Sequence, residues 1–418
     1  IAGLIKVALM QRHGYIPPNL HFETPNPNIP FDELRLRVPT ALEEWRTGAD
    51  GRRLAGINSF GFGGTNAHVV LANAPAAQAK TAAGDDGDRA HLVLLSARSE
   101  EALKANARRH GDFLRSQQPA PATLADISAA LALGREHHPI RLAVSGRTPS
   151  EIADLLDGFA AGQRRQGVVK GQVADAGASG IVFVCSGMGQ QWWAMGRGLI
   201  ESEPVFARKI DELDGMFRRL ASWSLRDILT RDEADSEIDR TEYAQPAIFG
   251  LQMGLAALWE SWGVRPELVT GHSVGEVAAA CIAGALTLED AVTVCFHRSR
   301  LQATLAGRGG MLAVGLPEAE IARRIQGKEA LVSIAAVNSA ESATLAGDTA
   351  TLEQIAADLQ SEQIFARMLN VEVPYHSPVM DEIREPFRAA LQGIAPRASA
   401  VPLVSTVTGQ LIDGSAFD

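Results

Sequence analysis

The sequence has few cysteines, no excess of basic residues and no long apolar run. Its 418 residues include three cysteines, whose number and spacing fit neither a disulfide framework nor a zinc site: Cys185, Cys281 and Cys295. The 49 acidic side chains outnumber the 39 basic ones, and the net charge of −10 argues against a broad nucleic-acid interface. Nearly uncharged stretches such as Val277–Leu288 are shorter than the roughly 20 apolar residues of a membrane span. These absences predict a protein of a reducing compartment, the cytoplasm, without a bound metal, a nucleic-acid partner or a membrane span.

The length and composition are those of a globular chain with two or three domains. Hydrophobic residues make up 46% and charged residues 21%, which excludes a largely disordered chain. At the N-terminus, Ile1–Met10 is apolar at helical spacing but follows no initiator methionine or helix cap. At the C-terminus, Leu411–Asp418 shows no helix or strand pattern that would anchor it. We therefore expect a piece of a longer polypeptide, cut at both ends.

Residues 1–74 form a first block, in which a helix is followed by a non-helical run. The segment Ile16–Pro30 is rich in proline and asparagine and cannot be helical. Two strand-like runs within Arg53–Leu71 flank the glycine-rich turn Gly61–Gly64. A phosphate-binding loop is one interpretation of these glycines. A tight bend is favoured, because no Lys-Ser or Lys-Thr pair follows them.

Residues 75–179 form a second block, which begins with a polar linker at residues 75–90. Strand-like and helix-like segments then alternate, with a strand predicted at His91–Ser96, an amphipathic helix at Ser99–Leu114 and another strand at Ile140–Ser145. The block contains no cluster of chemically reactive side chains. It is therefore interpreted as a small α/β module that acts as a structural adaptor.

Residues 180–418 form the third block, which begins with a buried strand at Ile181–Cys185. Within it, residues 308–372 follow the order βαββαβ, ending in a strand at Phe365–Val371. This order is typical of a ferredoxin-like arrangement. It is interpreted as an insertion, because the residues on either side of it belong to one chemical site.

The strongest motif is a G-x-S-x-G sequence centred on Ser273. The β-branched run Leu268–Thr270 precedes it and an alanine-rich helical run follows it. Strand, motif and helix in this order are typical of a nucleophile elbow, which exposes the serine Oγ. The elbow also directs the backbone amide of Val274, at a helix N-terminus, toward a developing oxyanion. A surface turn is the alternative, and the flanking strand and helix favour the nucleophile.

A nucleophilic serine needs a base, and the third block offers three histidines. His272 lies inside the elbow, where its position directs it away from the serine oxygen. His297 lies too far along the following helices unless the chain doubles back. His376, in the sequence VPYHS, directly follows the last predicted strand of the insertion. By elimination His376 is the candidate base, with a purely structural histidine as the alternative.

Two further groups are candidates for the same site. The loop CSGMGQQ after the strand Ile181–Cys185 precedes a helix predicted from about Trp192, and the amide of Met188 is a candidate second oxyanion donor. A simple tight turn explains the same glycines. Arg298, in a mostly apolar helix 25 residues after the serine, would bind a substrate carboxylate bidentately. From the residues alone, a salt bridge to an acidic residue or an arginine that extends to the surface is the favoured interpretation.

The motifs together resemble a type I polyketide synthase, and the resemblance covers essentially the whole chain. SGMGQQWWAMG, GHSVGE, TEYAQPAIFG and VPYHSPVM resemble the malonyl-type acyltransferase domain, which animal fatty acid synthase also has. The first helix with its Pro/Asn-rich run, and NSFGFGGTNAHVVL, resemble the C-terminal end of a ketosynthase. The resemblance implies an α/β-hydrolase-like acyltransferase core with an inserted ferredoxin-like subdomain, preceded by a small α/β linker domain and a partial, thiolase-like ketosynthase tail.

The resemblance also implies a role for each candidate residue. Ser273 would carry the acyl ester and His376 would act as base and then as acid. The Met188 and Val274 amides would form the oxyanion hole, and Arg298 would bind the carboxylate of the extender unit. Three residues would line the pocket: Gln191, Gln245 and Tyr375. No cofactor would be bound. The substrate would be an acyl-CoA, and the partners would be the phosphopantetheine of an acyl carrier protein, the remainder of the ketosynthase and downstream domains.

The chain departs from the family pattern in three ways. Its ketosynthase part lacks the nucleophilic cysteine motif, so we expect no condensation activity. Its acyltransferase part is expected to be C-terminally incomplete, ending before a strand and loop that orient the histidine in the family. Val373–His376 matches neither the HAFH typical of malonyl selection nor the YASH typical of methylmalonyl selection, while Val274 after the serine favours malonyl. A thioesterase or esterase of the α/β-hydrolase type and a non-catalytic scaffold fragment remain alternatives.

Overall fold

The chain divides into two compact units, Ile1–Ala90 and His91–Asp418. The structure is a computed structural model that describes residues 1–74, 89–116, 122–173 and 180–417. The linker predicted at residues 75–90 lies, apart from its last two residues, outside the described residues. No helix in the described part of the chain is long and apolar enough to cross a membrane.

The first unit contains one helix and two pairs of strands. They are α1 (Ala2–His13), β1 (Tyr15–Ile16), β2 (Glu43–Glu44), β3 (Leu54–Phe60) and β4 (Asn66–Ala72). Strands β3 and β4 form an antiparallel hairpin. Its turn is closed by the Gly61 amide, which donates to the Thr65 carbonyl at 2.7 Å, and Gly64 has a φ of 88°. The glycines therefore make a bend between paired strands, as favoured from the sequence.

The second unit begins with a three-stranded antiparallel sheet and three helices. These elements are β5 (His91–Ala97), α2 (Glu100–Ser116), α3 (Leu124–Leu133), β6 (Ile140–Gly146), α4 (Pro149–Ala160) and β7 (Val168–Gln172). The sheet has the order β5-β6-β7. Alternate residues on β5 and β6, such as Val93 and Leu142, are buried with Leu103 of α2 and Ile152 of α4. The predicted alternation of strands and helices is confirmed.

The next part of this unit contains two strands and six helices. They are β8 (Val182–Cys185), α5 (Arg197–Ser202), α6 (Pro204–Phe217), α7 (Leu225–Thr230), α8 (Thr241–Ser261), β9 (Leu268–Gly271), α9 (Gly275–Ile282) and α10 (Leu288–Ala303). The helix predicted from about Trp192 begins only at Arg197. Ala194 and Gly196 have φ angles of 64° and 82°, which a right-handed helix cannot include. Buried side chains such as Phe206 and Phe249 form the core among these helices.

A four-stranded antiparallel sheet with two helices follows within residues 310–368. Its elements are β10 (Gly310–Val314), α11 (Glu318–Arg324), β11 (Val332–Ser339), β12 (Ser342–Gly347), α12 (Thr349–Ser361) and β13 (Ala366–Met368). The sheet has the order β11-β12-β10-β13, and it has its own apolar core. The last strand is shorter than the predicted Phe365–Val371. Consequently His376 lies on a loop, eight residues beyond the strand, and not directly at its end.

The last part of the chain completes the central sheet of the second unit. It contains α13 (Arg384–Ala390), β14 (Leu403–Ser405) and β15 (Gln410–Ile412). The sheet has the order β15-β14-β9-β8, in which β8, β9 and β14 are parallel and β15 is antiparallel. Because carboxyl ends of parallel strands meet at one edge, the loops after β8 and β9 lie side by side there. These two loops carry the SGMG and GHSVG motifs.

Candidate active site

Ser273 sits on a sharp turn between β9 and α9. Its φ of 54° is in the left-handed region, which is unusual for a residue with a side chain. The chain packs so tightly at both flanking glycines that a side chain has no room. A Cβ on Gly271 would lie 2.2 Å from the Gly275 carbonyl oxygen, and one on Gly275 would lie 2.2 Å from the Cys185 carbonyl oxygen. The G-x-S-x-G spacing thus meets a steric requirement of this turn.

The serine hydroxyl lies between a histidine and an arginine. Ser273 Oγ is 3.0 Å from His376 Nε2 and 3.0 Å from Arg298 Nη2. A guanidinium only donates hydrogen bonds, so Oγ accepts from Arg298 and its own proton is directed to His376. Nε2 must then be the unprotonated ring nitrogen, with the proton on Nδ1. This is the arrangement in which an imidazole accepts a hydroxyl proton.

His376 is held in an unusual backbone conformation. Its φ is 59°, and its carbonyl oxygen accepts a hydrogen bond from Ser333 Oγ of β11 at 2.9 Å. Burial, the positive charge of Arg298 and the nearby His272 lower the pKa of His376 from 6.5 to about 4. The ring, although exposed toward the cleft, is therefore neutral near pH 7. A neutral imidazole is the form that acts as a general base.

Arg298 reaches the serine from the middle of α10. Its Nη1 donates to Gln245 Oε1, and Gln245 Nε2 donates to Gln302 Oε1 at 2.7 Å. Burial lowers the pKa of Arg298. Within the described residues, no carboxylate forms a salt bridge with this guanidinium. Its hydrogen bonds leave donors free on the side of Ser273, so the predicted alternatives of a structural salt bridge and of a surface arginine do not describe its position.

The loop after β8 packs directly against the elbow. A Cβ on Gly187 would lie 2.8 Å from His272 Nδ1 and 3.4 Å from Ser273 Cβ, so only a glycine allows this approach. Met188 is the next residue, and Val274 is the N-cap of the elbow helix α9. In the described part of the chain, neither of these two backbone amides donates a hydrogen bond to another backbone or side-chain group. Both amides are available to an oxyanion near Ser273.

The other predicted residues lie further from the serine. Gln191 accepts from the Gly189 amide at 2.8 Å and donates to Asp239 at 3.3 Å, which braces the loop after β8. Gln245 is fully buried behind Arg298. Tyr375 is buried, its hydroxyl is 2.6 Å from Thr241 Oγ1, and burial raises its pKa to about 12. His297 has a lowered pKa because of burial, and its Nδ1 is 3.4 Å from Arg300.

A cleft of about 420 Å³ opens beside the serine. It brings Ser273, Arg298 and His376 together on one wall. The remainder of the lining is mainly apolar and comes from α9, α10, α13 and the end of the chain: Glu276, Val277, Ala280, Leu286, Val294, Phe387, Leu391, Ile394, Pro396 and Phe417. The three residues predicted as pocket-lining do not belong to this lining. A cleft of this size is within the range of small-molecule binding sites.

Three contacts of the site were not predicted from the sequence. They involve Thr241, Gln252, Ser333 and Glu372. Thr241, Gln252 and Ser333 each hydrogen-bond to a loop that carries a predicted catalytic group, and Glu372 lies on one of these loops. Each also lies far from its partner in the sequence, so no short motif marks it.

Fold and site together define an α/β protein with a nucleophile-elbow serine, a histidine and an arginine in one cleft. The family model described as "Acyl transferase domain" matches residues 182–418, and a "Ketoacyl-synthetase C-terminal extension" model matches residues 25–144. The chain belongs to the acyl transferase domain family, in the form that occurs within modular type I polyketide synthases.

Individual relatives agree with this family. Erythronolide synthase EryA2 of Saccharopolyspora erythraea is 37% identical over 418 residues, which is 100% of this chain and 12% of that protein. The chain thus spans about an eighth of that relative's length. The acyltransferase domain from module 8 of the salinomycin polyketide synthase has a TM-score of 0.73 and 35% identity, covering 79% of this chain and 77% of that one. The acyl transferase domain of SpnD, solved in complex with 2-(pent-4-yn-1-yl)malonyl, has a TM-score of 0.67 and 29% identity, covering 78% and 76%.

Proposed function

We propose that this chain transfers a malonyl or methylmalonyl extender unit from coenzyme A to the phosphopantetheine thiol of an acyl carrier protein. The observation that carries this proposal is the position of Arg298. Its guanidinium is 3.0 Å from the Ser273 oxygen, and within the described residues it has no carboxylate partner. A cation placed beside a nucleophile and lacking an anion favours an acyl group that brings its own carboxylate. The malonyl derivative in the SpnD complex has this chemistry.

In the first half-reaction, Ser273 Oγ attacks the thioester carbonyl carbon and its proton passes to His376 Nε2. The carbonyl oxygen becomes an oxyanion, which the amides of Met188 and Val274 stabilise. The intermediate collapses, the carbon–sulfur bond breaks, and the departing coenzyme A thiolate takes the proton from His376. Arg298 exchanges its contact with the serine oxygen for the carboxylate of the bound acyl group.

In the second half-reaction, the roles of donor and acceptor are exchanged. The phosphopantetheine thiol gives its proton to His376 and its sulfur attacks the ester carbonyl of acyl-Ser273. The ester carbon–oxygen bond breaks, and Ser273 Oγ recovers the proton from His376. The acid and the base are therefore the same imidazole, which is neutral at the start of each half-reaction. The lowered pKa of His376 supports this role.

We also propose the finer parts of the architecture. The central sheet with its elbow is interpreted as an α/β-hydrolase-like core. Residues 310–368 are interpreted as a ferredoxin-like subdomain, because the strand order and the antiparallel pairing have the pattern of that fold. Three other points remain predictions: the division into residues 1–74, 75–179 and 180–418, the cytoplasmic location, and a supporting role for Gln191, Gln245 and Tyr375.

A hydrolase of the α/β type is the second candidate, since it shares the elbow. Such an enzyme orients its histidine with an acidic residue. In the described chain, no carboxylate hydrogen-bonds to His376, and an arginine faces the serine instead. Both features favour the transferase. A scaffold without catalytic function would leave the alignment of Ser273 and His376 without a purpose.

Intact mass spectrometry of the 418-residue chain tests the proposal. We expect incubation with malonyl-CoA or methylmalonyl-CoA to add one acyl group, and peptide mapping to locate it on Ser273. Ser273→Ala removes the adduct. Addition of an acyl carrier protein bearing phosphopantetheine then discharges the acyl group onto that thiol. Absence of any adduct on the wild-type chain refutes the proposal. Discharge to water at the same rate with and without the carrier favours the hydrolase.

A further inference from the structure

One face of helix α8 carries three polar side chains. Thr241, Gln245 and Gln252 are separated by four and seven residues, so at about 100° per residue they point within roughly 40° of one another. Thr241 and Gln245 are fully buried in a helix otherwise packed with apolar residues. Most buried polar groups in proteins have a hydrogen-bond partner. Each of the three bonds to a different segment of the candidate site.

The first of them, Thr241, anchors the loop that carries the base. Its backbone amide and its hydroxyl both donate to Glu372 Oε2, at 2.9 and 3.1 Å. Because the Thr241 hydroxyl donates to this carboxylate, the Tyr375 hydroxyl, 2.6 Å away, donates to Thr241. The carboxylate lies at the N-terminus of α8, where the helix favours negative charge. Residues 372 and 375 are thereby fixed on either side of Val373 and Pro374, immediately before His376.

Gln245, one turn further along, holds the arginine. Its oxygen accepts from Arg298 Nη1, and its nitrogen donates to Gln302. Both the oxygen and the nitrogen of this side-chain amide have partners, so the orientation of the amide is set. The guanidinium is consequently fixed with its other terminal nitrogen toward Ser273.

Gln252, two turns beyond Gln245, holds the loop after β8. Its Nε2 donates to the Ser186 carbonyl oxygen at 2.7 Å and approaches Ser186 Oγ at 3.4 Å. Ser186 directly precedes Gly187, whose backbone touches the elbow, and Met188, whose amide is the proposed oxyanion donor. This hydrogen bond therefore fixes the position of the loop after β8 relative to Ser273.

We propose that α8 is the alignment element of the active site, and that Thr241 and Gln252 are positioning residues for the base and for the oxyanion hole respectively. This inference rests on the proposed acyl transfer. A single rigid helix fixes the base loop, the arginine and the oxyanion loop relative to one another, although they belong to separate parts of the chain. Misplacement of a catalytic group by about 1 Å can reduce the rate by roughly 100-fold.

Variants of the full 418-residue chain test each anchor separately. Thr241→Val keeps the shape but removes the hydroxyl, and Thr241→Ser restores it. Glu372→Ala, at an exposed position, breaks the same anchor without altering the core. Gln252→Leu removes the amide that bonds to Ser186. Leu255→Ala on the same helix is the comparator for stability alone, because Leu255 packs on the apolar core. Burst kinetics of Ser273 acylation with malonyl-CoA and acetyl-CoA, pH profiles and melting temperatures are measured for each.

The two anchors predict different kinetic signatures. Gln252→Leu lowers the acylation rate constant by about ten- to a hundredfold for both acyl groups, with little change in KM. Thr241→Val and Glu372→Ala lower it similarly and also raise the pH of the acidic limb, because a loosened loop admits water to His376. Thr241→Ser restores rate and profile. Leu255→Ala lowers the melting temperature but leaves the rate constant and the profile unchanged.

Two results overturn the inference, and they differ from failure of the proposed function. If the wild type acylates Ser273 but the anchor variants match Leu255→Ala in rate and profile, α8 does not align the site. If Thr241→Ser is as slow as Thr241→Val, the hydroxyl is not the anchor. A wild type that no acyl-CoA labels at Ser273 refutes the acyl transfer itself, and this inference with it.

Discussion

Removal of the Arg298 side chain distinguishes the proposed transferase from a hydrolase and from a non-catalytic scaffold. In Arg298→Ala the cation beside Ser273 is lost, while the serine, the histidine and the elbow keep their places. Gln245 loses one partner but retains its 2.7 Å bond to Gln302. Arg300→Ala is the matched control, because Arg300 is an exposed arginine on the same helix. Both variants remove one positive charge from α10.

The expected size of the effect follows from the chemistry of the lost pair. Removing one partner of a buried, hydrogen-bonded charge pair costs about 2–5 kcal/mol, and 1.4 kcal/mol corresponds to about a factor of ten. Malonyl transfer should therefore lose about 30-fold to several thousandfold in kcat/KM. Acetyl-CoA brings no carboxylate. Its complex with the wild type leaves the arginine unpaired, and relief of that burial offsets the lost hydrogen bond to Ser273. Acetyl transfer should stay within about tenfold of the wild type.

The assay compares acylation of Ser273 by malonyl-CoA and acetyl-CoA in the same chain, by rapid quench and intact mass. The ratio of the two kcat/KM values is the quantity that Arg298→Ala should change and Arg300→Ala should not. An equal loss for both acyl groups would refute the reasoning, since it would assign Arg298 to the serine and not to the substrate. Unchanged malonyl transfer would do the same.

Three further results are expected. Burial and Arg298 lower the pKa of His376 to about 4, so the acylation rate should stay constant as the pH falls through 6.5 and decline only near pH 4. Arg298→Ala should move this decline to higher pH. A decline of the wild-type rate at pH 6.5 or above would contradict the reasoning. Gly275→Ala should lower the melting temperature by at least about 2–4 °C, because its Cβ would lie 2.2 Å from the Cys185 carbonyl oxygen. The control Gly198→Ala should not lower it, because a Cβ there meets no neighbouring atom. Equal effects of the two variants would argue against a steric requirement at the elbow. Burial raises the pKa of Cys185 and Cys295 to about 12 and that of Cys281 to about 11. Iodoacetamide should therefore modify no thiol of the native chain and all three thiols in denaturant, as measured by intact mass. An adduct on the native chain would contradict this by showing an accessible thiolate.

The parts of the site that the sequence predicts are those defined by short-range chemistry. The elbow at Ser273 depends on residues within two positions of the serine, so the motif carries its geometry. His376 was reached by eliminating His272 and His297, and the structure places His376 within hydrogen-bond distance of the serine. The elimination was possible because the third block has few histidines, although the strand expected directly before His376 ends at Met368. The role of His376 as the base stays a prediction.

The environment of Arg298 could not be predicted from the sequence. In the sequence, a salt bridge, a surface position and a carboxylate site were all compatible with an arginine in an apolar helix. Its environment depends on α8, which precedes it by more than 30 residues, and on the turn that folds α10 back beside α9. Such contacts are set by tertiary packing and not by local propensity. The same reason hides the bonds of Thr241, Gln252 and Ser333.

The backbone strain at two residues of the site explains why several helices and strands contact it. Ser273 and His376 both have positive φ angles, a conformation that costs a residue with a side chain about 1–3 kcal/mol and persists only where the surroundings enforce it. At Ser273 the enforcement is local, through two glycines and the start of α9. At His376 no glycine flanks the residue, and the local support is a hydrogen bond from Ser377 Oγ to the Pro374 carbonyl at 2.7 Å. Distant residues add to it, because Ser333 of β11 holds the carbonyl of His376 at 2.9 Å and Thr241 of α8 holds the preceding residues. The sheet of residues 310–368 and helix α8 therefore both contact the loop that carries His376. The sheet that lies between the serine and the histidine in the sequence thus supplies one of the contacts that hold the histidine in this conformation.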